Sequence, residues 1–234
     1  MIRWDDAPGA YEVVFSTREG GVSEGPFASL NLGRATADEP ERVDENRRRL
    51  CVEVGADPDA LTLNYQHHSA DVLRARAGSR GERGDGLWTD ERGLPLVALA
   101  ADCLPIALAR VDGSGPGLAV LHAGWRGLLG GIAAKGVATL GGRAVAAIVG
   151  PGIGPCCYEV GDDVAAPFRR AFGLGLHRDG KLDLWSAAER ALRAAGCVRV
   201  DRIDLCTGCA PERFFSHRRD NGLTGRQGVI GLIR

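Results

Sequence analysis

Two apolar runs joined by a glycine-proline turn constrain this chain more than any other feature. Leu96–Val111 and Leu118–His122 flank Gly113-Ser114-Gly115-Pro116-Gly117. Apolar runs of this kind, bounded by turn residues, read as strands buried on both faces. If the turn makes an antiparallel hairpin centred near residues 113–114, the partner of His122 falls around residues 104–106. Cys103 is then one to three positions from register, roughly 3–10 Å along the strand at ~3.4 Å per residue. The first run is interrupted by Ala101-Asp102-Cys103-Leu104-Pro105, and the second ends in Gly124-Trp125-Arg126-Gly127. Asp, His and Arg at the ends of buried strands do not serve packing, because an uncompensated charge is costly in an apolar core. They line something polar. The residues alone leave two chemistries open, a Cys–His catalytic dyad and a metal site. A third ligand decides between them. Of the five histidines, at 67, 68, 122, 177 and 217, only His67 and His68 are clustered candidates.

The rest of the chain supplies both strands and helices. Tyr11–Phe15 is a short β-rich run. Asp38 is placed to cap a helix reaching Gly55, with Val43, Leu50 and Val54 on one face and Arg47–Arg49 on a solvated one. Leu61–Tyr65 and Ala70–Leu73 flank Gln66-His67-His68 as one extended segment, and Ala77–Gly86 reads as a mobile surface loop. Helices are expected over Leu128–Leu140, Asp162–Phe172 and Leu184–Ala195, the last ended by Gly196. Further strands are expected over Ala144–Val149, Val198–Leu205 and Phe214–His217. Strands do not alternate regularly with helices. The expected class is therefore α/β (mixed α+β), with layered mixed β-sheets flanked by helices in a single domain over residues 1–234.

Composition excludes several functions. The 29 Lys and Arg nearly balance the 30 Asp and Glu, so no overall field favours nucleic acid or an anionic membrane. The first residues lack the basic and apolar regions of an export signal, and no run reaches the ~18 apolar residues of a membrane span. A cytoplasmic location is expected. The seven cysteines, an odd number, then read as reduced thiols rather than a disulfide scaffold. Cys206-Thr207-Gly208-Cys209 and the adjacent Cys156-Cys157 pair suggest a Cys₄ zinc site. A vicinal pair is poorly shaped for tetrahedral chelation, which favours plain structural thiols. Gly150-Pro151-Gly152-Ile153-Gly154-Pro155 lacks the dinucleotide-binding pattern. It is expected to shape a pocket and offer backbone N–H groups to an anion.

Six segments, in order, resemble a known family: Phe15–Gly33 (FSTREGGVSEGPFASLNLG), Gln66–Val72 (QHHSADV), Ala98–Leu108 (ALAADCLPIAL), Leu121–Gly127 (LHAGWRG), Val149–Val164 (VGPGIGPCCYEVGDDV) and Phe214–Gly228 (FFSHRRDNGLTGRQG). They are similar to the motifs of the laccase-domain, or "multicopper polyphenol oxidase", family, whose members are also described as purine nucleoside phosphorylases. The resemblance implies His68, Cys103 and His122 as metal ligands. His67 stands where the family is usually aliphatic, and on an extended segment it faces away from His68, toward the surface. Five histidines cannot serve several coppers, and the single methionine, Met1, is no axial ligand. Zinc with an open fourth position is the expected metal, with copper as the alternative.

The resemblance further implies phosphorolysis of adenosine, inosine, guanosine and S-methyl-5'-thioadenosine, together with adenosine deamination. The partners would be a small purine nucleoside and phosphate, handled by a monomer or homodimer. Arg18, Arg126, His217, Arg218 and Arg219 are the candidate phosphate contacts. Asp102 is a proton-transfer group or the orienter of a ligand imidazole. Trp125 and Tyr158 are placed to stack on a purine or to pack in the core. Three other readings remain. One is a metal-free hydrolase with Cys103 as nucleophile, His122 as base and His68 or Asp102 orienting it, for which the resemblance implies UDP-linked muramyl amino acid amides as substrate in peptidoglycan precursor editing. Another is a copper-dependent polyphenol oxidase. The last is a zinc-stabilised binding protein, disfavoured because closed structural sites use four protein ligands.

Overall fold

The computed structural model describes residues 1–141 and 144–234. The strands are β1 (Ile2–Arg3), β2 (Tyr11–Phe15), β3 (Thr62–Tyr65), β4 (Val72–Arg74), β5 (Arg80–Arg83), β6 (Gly86–Thr89) and β7 (Leu96–Ala100). They continue with β8 (Leu104–Arg110), β9 (Leu118–Ala123), β10 (Val145–Val149), β11 (His177–Arg178), β12 (Lys181–Leu182), β13 (Cys197–Arg202) and β14 (Gln227–Ile233). The α-helices are α1 (Pro40–Glu53), α2 (Trp125–Leu129), α3 (Ile132–Thr139), α4 (Asp162–Phe172) and α5 (Leu184–Ala194). No helix among the described residues is long and apolar enough to cross a membrane.

Two six-stranded mixed sheets carry the molecule, in the orders β1-β2-β14-β7-β3-β5 and β13-β10-β8-β9-β6-β4. Their facing side chains make the central core: Val13, Phe15, Leu96 and Val229 from the first sheet meet Ala107, Leu118, Val120 and Ile148 from the second. The outer face of the first sheet is covered by α1 through Leu50 and Cys51 and by Val54 at its end; Val43 on the same helical face is buried as well. Helices α2 to α5 cover the outer face of the second sheet. The class is the mixed α/β architecture of layered sheets flanked by helices. Strands β8, β9, β10 and β14 are largely apolar because both of their faces are covered, with Arg110, His122 and Gln227 as polar residues at or near strand ends.

The β8–β9 hairpin pairs Pro105 with His122, inside the window read from the turn. The apolar run before it divides differently from expectation. Leu96–Ala100 lies in the first sheet and Leu104–Arg110 in the second, so Ala101-Asp102-Cys103 is the crossing between sheets. Asp102 takes φ 92° there, a left-handed conformation that side chains adopt only under tertiary constraint.

Other expectations are corrected. The helix expected over Leu128–Leu140 is two, α2 and α3, broken at Gly131 with φ 84°. Asp38 does not cap α1: its carboxylate takes bonds from Ser23 and Asn31, and Pro40 opens the helix after Glu39. The Ala77–Gly86 stretch contains strand β5, whose charged residues are exposed along an edge. Phe214–His217 is not a strand; Phe215 closes both main-chain bonds on the Gln227 side chain instead. The late strand is β14, masked by Gly228 and Gly231. Gly228 is needed because a Cβ there would stand 2.2 Å from the Ala98 carbonyl oxygen.

The turn after β10 is equally tight. A Cβ on Gly150 would lie 2.2 Å from the buried Phe15 ring and 3.0 Å from the Pro105 carbonyl oxygen. Gly150→Ala should lower stability by about 1–3 kcal/mol, the usual cost of overpacking, read as a lower urea midpoint at unchanged m-value.

Candidate metal centre

The site forms where the sheet crossing, the end of β9 and the loop after β3 meet. Donor atoms of His68, Cys103 and His122 all lie within 4.8 Å of one another. The His68 and His122 rings meet edge-on, with centroids 4.9 Å apart. Gly124 makes room for them: a Cβ there would stand 2.8 Å from Cys103 Sγ and 3.2 Å from His68 Cδ2. His68 is held at φ 64°, so this loop is a turn and not the extended segment expected.

Asp85 organises the cluster. Its carboxylate is fully buried and accepts the consecutive main-chain N–H groups of His67, His68 and Ser69 at 3.2, 2.9 and 2.6 Å. The Ser69 hydroxyl adds a bond at 2.7 Å, and His122 Nδ1 lies 2.8 Å from Oδ1. The Asp85 carbonyl also accepts the N–H of His122. Burial alone would raise this carboxyl, but the bonds from His122 and Ser69 hold it well below the usual carboxylate range. Engaging Nδ1 fixes the tautomer and leaves Nε2 of His122 for a ligand, a common arrangement around metal-binding imidazoles. Sequence reasoning missed Asp85. Its signal was an acid between Gly84 and Gly86 at the entrance to an apolar strand.

Asp102 therefore has a different setting from the orienting role considered for it. One of its oxygens accepts Thr207 Oγ1 at 2.6 Å and the other accepts the N–H of Arg218 at 2.7 Å. The His67 ring is partly exposed, with Nδ1 3.5 Å from the Asp85 carboxylate. It stands outside the donor cluster. Burial raises the Cys103 thiol, but the neighbouring His122 and His68 bring it down to about 6. The reciprocal attraction, with that of Asp85, outweighs burial and raises His122 to about 9. The two shifts are reciprocal, the thiolate favouring the imidazolium and the imidazolium the thiolate. Two imidazoles and one thiolate converging with their orienting carboxylate fit a borderline metal ion.

The cluster opens into a cavity of about 630 Å³. Its walls include Asp102, Tyr158, His217 and Arg218, together with Arg34, Arg47, Arg80 and Arg226. Arg18 and Arg126 are not among the lining residues. Arg18 donates to the carbonyls of Ala28 and Pro211 over the Phe215 ring, and exposed Arg126 stacks 4.3 Å above Trp125. Arg219 is spent on Asp220, Thr207 and Phe214. The main-chain N–H groups of Gly150, Ile153 and Gly154 go to Pro105, Asp102 and Cys206, so this turn offers none of those three to an anion. Arg47 was read as part of a solvated face. Instead it donates to the Leu32 carbonyl at the cavity wall, where burial and the nearby Arg80 charge lower it to about 10.

Residues 12–234 match the family described as "Multi-copper polyphenol oxidoreductase laccase". The chain belongs to this family. A Deinococcus radiodurans relative named "Purine nucleoside phosphorylase" is 44% identical, over 94% of this chain and 88% of its own. "Purine nucleoside phosphorylase YlmD" of Geobacillus stearothermophilus is 37% identical, over 90% of this chain and 86% of its own. The crystal structure of YlmD from Geobacillus stearothermophilus superposes with a TM-score of 0.89 at 34% identity, covering 97% of this chain and 93% of that one. The family shares this layered fold, and the cluster at its sheet crossing is a candidate metal centre whatever ion occupies it.

Asp85→Asn tests the organising role. With buried donors left short of acceptors, unfolding stability should fall by about 1–3 kcal/mol, and metal affinity by about 10–100-fold. Iodoacetamide alkylation of Cys103 in metal-free protein should titrate with a midpoint at about 6. A rate that rises only near the ordinary thiol range would show that the imidazoles do not stabilise the thiolate.

Proposed function

We propose that this chain is a zinc-dependent purine nucleoside phosphorylase, acting on adenosine, inosine, guanosine and S-methyl-5'-thioadenosine, with adenosine deamination as a second activity. The observation that carries the reading is the His68–Cys103–His122 cluster opening into an arginine-lined cavity large enough for a nucleoside. The names of the relatives agree with the purine nucleoside phosphorylase part of this reading. His68, Cys103 and His122 would hold the zinc, which when bound supplies Lewis-acid polarisation and activates water for deamination.

Phosphorolysis asks the protein to hold an anion next to the glycosidic bond and to neutralise charge on the departing base. Arg47, Arg80 and Arg226 satisfy their side-chain bonds on main-chain carbonyls, so their charges remain available to phosphate in the cavity. His217 and Arg218 complete the cationic wall, in place of the Arg18 and Arg126 contacts expected from sequence. Tyr158, beneath the Arg218 guanidinium, offers a face for a purine. Asp102, held by Thr207 and Arg218, is the carboxyl group that would exchange a proton with the base.

The lowered thiol of Cys103 favours a second reading, a metal-independent Cys–His hydrolase acting on muramyl amide precursors. A chelator separates the two, because such a hydrolase keeps its activity without metal and the zinc phosphorylase does not.

The deciding experiment measures inosine phosphorolysis and bound zinc in wild type and in Cys103→Ala. Phosphate-dependent hypoxanthine release and the zinc at this site should both be lost in the variant. Intact nucleoside cleavage in Cys103→Ala would refute the proposal. Arg47→Ala should raise the phosphate KM by about 10–100-fold, the loss expected for one charge-assisted contact. The inosine KM should change far less.

A further inference from the structure

Thr207, which donates to Asp102, stands in the chain between two members of a second cluster of soft ligands. Cys156 and Cys157 come from the turn after β10, and Cys206 and Cys209 from the loop after β13. Their four sulfur atoms all lie within 4.8 Å of one another. Cys209 Sγ is 3.4 Å from Cys156 Sγ and 3.4 Å from Cys157 Sγ. A tetrahedral zinc with Zn–S bonds of ≈ 2.3 Å places its sulfurs about 3.8 Å apart. The vicinal pair, which from sequence seemed ill-shaped for chelation, is turned so that both of its thiols reach Cys209.

Two further features shape the site. The Gly154 N–H donates to Cys206 Sγ at 3.2 Å, and the Cys209 N–H supports the same sulfur. Main-chain N–H groups aimed at sulfur stabilise a thiolate and fix its direction. Gly208 leaves room between the pairs, since a Cβ there would stand 3.1 Å from both Cβ and Sγ of Cys157. Cys156 and Cys209 are exposed, which gives an ion a path of entry. All four cysteines are free thiols.

We propose that Cys156, Cys157, Cys206 and Cys209 bind one zinc ion as a closed structural tetrathiolate, separate from the His68–Cys103–His122 centre. Four protein ligands leave no open position, so this ion performs no chemistry. The thiols release their protons as it binds. Its effect is to join two loops that also frame the cavity. The Ile153 N–H is bonded to the Asp102 carbonyl, Thr207 Oγ1 to the Asp102 carboxylate, and the Thr207 N–H to Gly152. The ion would thus fix the backbone behind Asp102.

The test counts zinc per chain in protein made with zinc in the medium, for wild type, Cys103→Ala and the Cys156→Ser/Cys209→Ser double variant. Wild type should carry about two ions and each variant about one, as expected for two independent sites. A single zinc lost only in the double variant would still support the tetrathiolate while overturning the metal reading of the first centre. Zinc content unchanged by the double substitution overturns the proposal. Should the double variant not fold, wild type answers by itself. Zinc should protect Cys156 and Cys209 from iodoacetamide, and a chelator should expose both. Equal alkylation with and without zinc, or a disulfide among the four in anaerobically purified protein, would overturn it.

Discussion

A buried carboxylate with no solvent must be answered by donors, and the answer to Asp85 organises the centre of this protein. Its oxygens take the N–H groups of His67, His68 and Ser69, the Ser69 hydroxyl and His122 Nδ1. These bonds hold His68 in a left-handed conformation that an isolated chain would rarely visit. They also turn His122 so that its free nitrogen joins Cys103. Because the carboxyl is depressed below its ordinary range, its stabilisation is complete above that range and is withdrawn progressively as pH falls from there to the lower folded-state value. Acid should therefore loosen the ligand loop and the imidazole together.

The two sheets need each other for the same reason. Cys103 stands where the chain leaves the first sheet for the second, and His122 ends β9 in the second. His68 follows β3 of the first sheet. The donor set thus straddles the packed core, and the cavity beside it takes its arginines from the segment before α1, α1 itself, β5 and the loop before β14. Small residues make the approach possible: Gly124 beside Cys103, Gly150 beneath Phe15, Gly208 beside Cys157. At Gly124 and Gly150 a side chain would meet an occupied position, and at Gly208 it would press on Cys157.

Much of the centre was legible in the sequence. The turn at Gly113–Gly117 implied the register that places His122 opposite Pro105 and near Cys103. The helical spacing of Val43, Leu50 and Val54 identified the face that α1 buries. The arginines were read less well. Arg18 and Arg126 were expected to touch phosphate, yet Arg18 serves main-chain carbonyls and Arg126 rests on Trp125. Arg47, in a run of three on an amphipathic helix, gave no local sign that its side chain enters a cavity. Which carbonyl or ring a long side chain meets depends on elements far away in sequence.

Sequence by itself determined the hairpin, its register and a thiol–imidazole pair at its end, because strand period and turn chemistry are local properties of the chain. The motif resemblance added His68. Tertiary structure alone decided that one apolar run serves two sheets, that Asp85 rather than Asp102 orients His122, and that Cys156-Cys157 meets Cys206 and Cys209. Each of these joins segments whose approach depends on how two sheets pack across a shared core. No periodicity encodes that distance.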